Sequence, residues 1–433
     1  MVITPTYSTS RPSSSLKVLK SDIINVNLKK KKSVEQYSSI SIMAPSRVDD
    51  DTSEPKTSYD INVPYHALSE EYEKRIKGRT EFPEYLPVWE EGLWHDDFPT
   101  FEFHDPALRA DNKKPNLFRD GVIAQPVTPR MGTILNGVKL ETLSKEAKDE
   151  LALLICERKF VVIRNQLEFL KSGPQFQVDF MEHYGKLSKQ PVTGAVKGFP
   201  QFHIIHRDGN EEEIEQFFKH KMTTTIWHHD VSYERQPPGY IMLGILACPD
   251  VGGDTVVADM SMAYKRLSPA YQQMLNQLRA IHTSENLIAH AKRAKGVVRA
   301  DPINSNHPVV RVHPVTGERA IFLNMEWIKE IIGLKDLEAE SVTRFLMDQV
   351  RMGHDFQARV SWEKHSVVMF DGRTTLRKYT VTLSSPDDLI ILSDTGTVDY
   401  DTSLQARHLF RLAAMTEIPV SVAESEQQLD ECS

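Results

Sequence analysis

The residues best equipped for chemistry lie in the stretch Thr225-Ile226-Trp227-His228-His229-Asp230-Val231-Ser232-Tyr233. His228 and Asp230 stand two positions apart, and on an extended strand such residues project to the same face. An imidazole and a carboxylate would then converge on one point, with His229 turned away. That pair is two members of the facial triad by which non-haem Fe(II) oxygenases hold their metal. Three protein ligands leave three adjacent positions for a bidentate cosubstrate and oxygen. Standing alone, His-X-Asp also reads as an exposed polar strand edge, so the surrounding elements must carry the distinction.

Those elements are short apolar runs separated by turn signals. Residues 239–247, 255–259, 308–313, 319–324 and 365–370 read as strands, as does Phe160-Val161-Val162-Ile163. Helical spacing is found over 143–157, where Leu151, Leu154 and Ile155 share a face. It recurs after Ser268-Pro269, and over 337–352 ending at Gly353. In the helix opened by Ser268, the expected apolar face is Tyr271, Met274, Leu275, Leu278 and Ile281. Many short strands with few helices predict a mostly β protein with flanking helices. The expected form is a double-stranded β-helix, the cupin-like jelly roll. Residues 61–119, with many Pro, Trp and Phe and few periodic runs, read as an arm wrapping the core. The main domain runs over 120–420, and 421–433 reads as a tail.

Four more motifs follow in order. They are Gly252-Gly253-Asp254-Thr255-Val256-Val257-Ala258-Asp259-Met260, His313-Pro314-Val315-Thr316-Gly317-Glu318-Arg319, Phe370-Asp371-Gly372-Arg373-Thr374-Thr375 and Arg407-His408-Leu409-Phe410-Arg411. With the His228 stretch they resemble the taurine/2,4-D dioxygenase family, in particular its fungal sulfonate-dioxygenase-like branch. The resemblance implies Fe(2+) as metal and 2-oxoglutarate as cosubstrate. It also implies hydroxylation of a substrate C–H bond with release of succinate and CO2. By the same resemblance His228 and Asp230 are iron ligands, and Thr255 binds a carboxylate of 2-oxoglutarate. Arg407 holds its distal carboxylate, and Arg411 grips the substrate anion. A planar guanidinium suits both tasks because it donates two parallel hydrogen bonds to a carboxylate. Without the resemblance the two arginines read as solvated surface residues. In Ser188-Lys189-Gln190-Pro191-Val192-Thr193, Gln190 replaces a sulfonate-contacting histidine of the family and cannot carry positive charge. Trp327 stands where the family usually has Phe near the substrate. Taurine itself is therefore disfavoured against a bulkier acid or a heterocycle. Trp227 reads as an ordinary core aromatic.

The pattern breaks at Phe370-Asp371-Gly372-Arg373-Thr374-Thr375-Leu376-Arg377, where Arg377 takes the place of the third iron ligand. A protonated guanidinium offers no lone pair to a metal. Arg377 and Arg411 are also 34 residues apart, about twice the family spacing, and the surplus is residues 378–394. A hypothesis accounts for both departures: the surplus is a translated intron. Arg377-Lys378-Tyr379 can be encoded C|GTAAGTAT, with a donor site, and Ser393-Asp394 can be encoded TCAG|AC, with an acceptor. Joining the flanks gives CAC, a histidine codon, directly before Thr395. The alternative is a true insertion. Residues 379–383 alternate, Ser384-Ser385-Pro386-Asp387 can turn, and 389–392 are apolar, which reads as a hairpin. The protein would then be a pseudoenzyme that binds a small acid, or would recruit His365 or His408 as a ligand.

Composition excludes several other classes. A net charge of −8 argues against a nucleic-acid or anionic-membrane surface, leaving a small molecule as the expected partner. A homo-oligomer stays open. No run of 18 apolar residues predicts a transmembrane helix. Cys156, Cys248 and Cys432 give neither a disulfide framework nor a thiolate zinc site and suit a reducing compartment. The cytoplasm is expected, with the mitochondrion as the alternative. Residues 1–60 read as a disordered or extra N-terminal extension, with Met43-Ala44-Pro45 as an alternative start. A transit peptide is the other reading of 1–42, though Lys rather than Arg dominates there.

Overall fold

Two facing sheets carry the site; the runs 160–163, 239–247, 255–259 and 365–370 supply four of their strands, while 308–313 and 319–324 contribute to a separate small sheet. The computed structural model describes residues 80–89, 94–95, 98–207, 226–293, 296–323, 326–379 and 405–431. The N-terminal extension over 1–60 lies outside the described residues, as does the surplus from residue 380 onward. The larger sheet runs in the order Ile123–Pro126, Thr133–Asn136, Phe160–Ile163, Val367–Asp371, Pro238–Ala247, Arg407–Met415 and Lys186–Leu187. His203–Arg207 also pairs with Arg407–Met415. The smaller sheet is Gln357–Val360, Thr255–Asp259, Thr375–Tyr379 and Ile226–His228. All pairs in the two sheets are antiparallel except Thr133–Asn136 with Phe160–Ile163. This is the expected jelly roll.

The core follows from alternation on the central strands. Along Arg407–Met415, Leu409 packs with Leu243, Ile245, Val257, Val360 and Phe370 between the sheets. Phe410, Leu412 and Ala414 face the opposite layer with Leu151, Phe169 and Tyr184. Both faces of this strand are buried, so it reads as an apolar run interrupted only by Arg407, His408 and Arg411. Gly244 lies opposite Phe410, and a Cβ there would sit 2.3 Å from the Phe410 ring. Glycine at 244 is what lets that ring lie across the neighbouring strand.

The helices form largely where expected. Lys145–Arg158 is capped by Ser144, and Asp336–Met352 stops at Gly353. The helix opened by Ser268 spans only Pro269–Asn276, shorter than the expected face required. Leu278 lies beyond its end, and Ile281 belongs to the strand Arg279–Thr283. Pairing of that strand with Asn304–Pro308 and Ile328–Ile331 overrides the helical spacing. In the arm, Phe82, Tyr85, Ala107 and Leu117 are buried in the main core. The tail forms a strand, Val420–Ser421, and a helix, Val422–Glu431. Among the described residues no helix is long and apolar enough to cross a membrane. Cys156 and Cys248 are free thiols.

Candidate functional site

Strand register brings the chemistry together. The strand Thr375–Tyr379 pairs with Ile226–His228 so that Arg377 stands opposite His228. Directly opposed residues share a face with their Cβ atoms about 5 Å apart. Residue 377 thus occupies the third corner beside the imidazole, as the sequence pattern implied. The route by which Asp230 arrives differs from the simple strand argument. The strand ends at His228, and Asp230 lies in a turn. Val231 follows with φ of 37°, left-handed geometry that costs a β-branched residue energy. The turn, not continued alternation, carries the carboxylate back to the imidazole: His228 Nε2 lies 3.2 Å from Asp230 Oδ1.

Two guanidinium groups close on Asp230. Arg377 Nη2 donates to Oδ2, and Arg411 Nη1 lies 3.0 Å from Oδ1. The Arg377 guanidinium also lies over the Phe370 ring, 4.7 Å from its centre. All three ionic side chains are buried. Burial would push the Asp230 carboxyl upward, but Arg377 and then Arg411 outweigh it and hold it well below the carboxylate range. Burial pushes His203, close to Arg411, well below the usual imidazole value. His229 turns away from the cluster, its ring 4.9 Å from that of Phe322, and burial lowers its pKa to about 3.

A narrow cleft opens onto this cluster. Gln190, His228, Asp230, Tyr233, Trp327 and Arg411 are among the residues that line it. Thr193 donates to Gln190 Oε1 at 3.4 Å, which leaves the Gln190 amide NH2 as the free end. Gln190 Nε2, Tyr233 Oη, Trp327 Nε1 and both Arg411 Nε and Nη2 are buried with no partner among the described residues. Every one of these atoms can donate a hydrogen bond. Such groups are rare in folded interiors, and these belong to residues that line one cavity together with the carboxylates of Asp230 and Glu326. Leu287, Val192, Val231 and the rings of Tyr233 and Trp327 supply an apolar wall.

Thr255 and Arg407 lie at the start of their strands, Thr255–Asp259 and Arg407–Met415. Thr255 Oγ1 accepts from Trp362 Nε1 at 3.2 Å. Gly253, with φ of +73°, lies near Arg407, since a Cβ there would stand 3.8 Å from Arg407 Nε; neither Thr255 nor Arg407 is among the residues that line the cleft. Arg407 and Arg411, four apart on one strand, both face the space between the sheets, and both are buried. They are not the solvated pair that the sequence alone allowed. Trp227 packs in the core, as read from the sequence.

The alternative ligands are elsewhere. His408 bonds the Tyr85 carbonyl, and His365 lies beside Glu81. The His313 and Phe370–Thr375 motifs meet in a separate buried network. His313 Nδ1 accepts from the backbone of Val315 and Thr316, so Nε2 carries the proton donated to Asp371 Oδ2 at 2.7 Å. Asp371 Oδ1 accepts from Arg373 Nε at 2.9 Å, and Arg373 reaches Asp105 and the Cys156 sulfur. Cys156, His313 and Asp371 have metal-ligating atoms, but the Arg373 guanidinium already supplies the cation among them. Sequence reasoning gave Tyr233, Phe370 and this network no role. Tyr233 lies in the same stretch as His228, but only folding shows its hydroxyl facing the cleft.

A jelly roll with an imidazole, a carboxylate and paired arginines between its sheets is the frame of a non-haem oxygenase that uses an organic acid as cosubstrate. Residues 124–376 match the family described as "Taurine catabolism dioxygenase TauD, TfdA family". An alpha-ketoglutarate-dependent sulfonate dioxygenase of Saccharomyces cerevisiae is 36% identical over 80% of this chain and 81% of its own. Alpha-ketoglutarate-dependent dioxygenase cnsM of Penicillium expansum is 34% identical over 78% and 90%. An alpha-ketoglutarate-dependent sulfate ester dioxygenase of Pseudomonas putida is 27% identical over 69% and 90%. The crystal structure of a taurine dioxygenase from Burkholderia xenovorans superposes with a TM-score of 0.52 at 23% identity, over 70% of this chain and 92% of that one. The chain belongs to the TauD/TfdA family of 2-oxoglutarate-dependent dioxygenases. The family match stops at Leu376, one residue before Arg377. There the residues present do not fit the family's ferrous ion. His228 and Asp230 supply two ligands, and a cation already fills the third corner.

Proposed function

We propose that this protein serves the 2-oxoglutarate-dependent oxidation of a small organic anion of sulfonate, sulfate-ester or carboxylate type. The observation that carries the reading is the convergence of His228, Asp230 and Arg411 on one cleft whose lining includes the buried donors of Gln190, Tyr233 and Trp327. A ligand rich in acceptor oxygens answers that lining. Thr255 and Arg407 would hold 2-oxoglutarate. Arg411, Gln190 and Trp327 would orient the substrate anion, with the apolar wall taking its carbon chain and excluding water. Names of relatives support the substrate class, since they include a sulfonate and a sulfate ester dioxygenase.

Turnover belongs, on this reading, to a chain in which one histidine replaces residues 377–394. Two measurements test it. The mature message is read across codons 376–396, where retention of every codon would end the splice hypothesis. Both chain forms are then supplied with 2-oxoglutarate, ferrous iron and a panel of alkanesulfonates, alkyl sulfates and carboxylates. Succinate release is expected from the histidine form only. A histidine form that folds yet releases no succinate with any of them would overturn the dioxygenase reading.

A further inference from the structure

We infer that the chain carrying Arg377 is a metal-independent receptor for a small organic oxyanion. This rests on the reading of the cleft given above, but not on turnover. Three observations combine. First, the Arg377 guanidinium is held on two sides, paired with Asp230 and laid on the Phe370 ring. A cation so held supplies the positive charge that Asp230 needs and bars a metal from the same place. Second, two guanidinium groups share the Asp230 carboxylate, so each keeps donors to spare. Arg377 and Arg411 face one carboxylate, Asp230, while the Glu326 carboxyl lies among the cleft-lining residues. Third, the donors are left over in a consistent way. Arg377 Nη1 and Arg411 Nε and Nη2 are buried without an acceptor among the described residues, and so are the donors of Gln190, Tyr233 and Trp327. A sulfonate or carboxylate offers only acceptors, so one such group can satisfy several donors at once.

The test uses the full chain with Arg377, stripped of metal with EDTA. Calorimetry is run with propanesulfonate, with butyrate, and with Co(II) under anaerobic conditions. The expected result is binding of one or both anions, unchanged by EDTA, and no stoichiometric Co(II) binding. Stoichiometric Co(II) binding, or no binding of either anion, overturns the inference, and neither titration needs a variant. Comparison of the two anions shows which head group the donors prefer. Arg377→Met should weaken anion binding at least tenfold without admitting metal. Arg377→His should admit Co(II), with a visible ligand-field spectrum. Should Arg377→Met not fold, Arg377→Lys replaces it: this keeps the charge but loses the fork, and a several-fold weaker affinity is expected. Unweakened anion binding in whichever of the two folds also overturns the inference. Anion binding by the Arg377 chain together with a silent histidine form would sink the dioxygenase reading and leave this one standing.

Discussion

At the scale of single residues, the site is governed by unpaired donors and charges under low solvent exposure. Gln190 illustrates it. Its carbonyl is tied to Thr193, so its amide is aimed at the cleft. Gln190→Leu removes one donor at nearly constant volume and should weaken alkanesulfonate binding roughly tenfold, about 1.4 kcal/mol. Calorimetry on the Arg377 chain checks this, and an unchanged affinity would remove Gln190 from the anion site. Trp227→Phe, a change in the core cluster, is the control and should leave affinity alone. The same logic explains why Arg377 is not a neutral substitution. A histidine there offers a lone pair to a metal, whereas the guanidinium offers only donors and seeks carboxylates.

At the scale of elements, the strand Arg407–Met415 is the pivot. It lies between Pro238–Ala247 and the two edge strands, and it carries both site arginines on its inner face. Its outer face holds Phe410, stacked on Tyr85 at 5.3 Å and meeting Phe202 edge-on at 5.2 Å. The ring is hemmed in from both sides, so it cannot yield to a new atom at Gly244. Gly244→Ala should therefore destabilise the protein by about 1–3 kcal/mol, the usual range for overpacking. Urea denaturation measures the loss. Because the displaced strand also positions Arg411, anion affinity should fall with stability in this variant. Retained stability would show that the strands can separate without cost.

At the scale of the whole molecule, the His313–Asp371–Arg373 network ties distant parts of the chain. Arg373 joins Asp371 at the end of a main-sheet strand to Asp105 in the arm, while Tyr240 donates to Asp105 at 2.6 Å from a second strand. Asp371→Asn leaves a buried guanidinium short of charge and should cost roughly 3–5 kcal/mol at neutral pH. Acid titration gives the sign. Burial pushes the Asp371 carboxyl up, but Arg373 and His313 overcome it and hold it far below its ordinary 3.8. The native state thus binds fewer protons than the unfolded chain as pH falls below that value. The carboxylate's contribution is fully present above about pH 4 and is lost in acid. Denaturation free energies taken between neutral pH and pH 3 should drop less steeply for Asp371→Asn than for the parent. Parallel curves would place the acid sensitivity elsewhere.

The sequence by itself determined the short apolar runs, the helix ends at Ser268 and Gly353, and the ordered motifs that resemble one family. Local backbone preference and burial of alternate faces are written in consecutive residues, so these elements were legible. The pairing of His228 with Asp230 was legible as well, although their convergence comes from a turn at Val231 and not from strand alternation. Only the tertiary structure decided what Arg377 does. A one-dimensional pattern marks that residue as a missing ligand. The register against His228 turns it into a cation locked on Asp230, beside the Arg411 that lines the cleft. Charge pairing and unsatisfied donors depend on distances between residues far apart in the chain, and those distances exist only after folding.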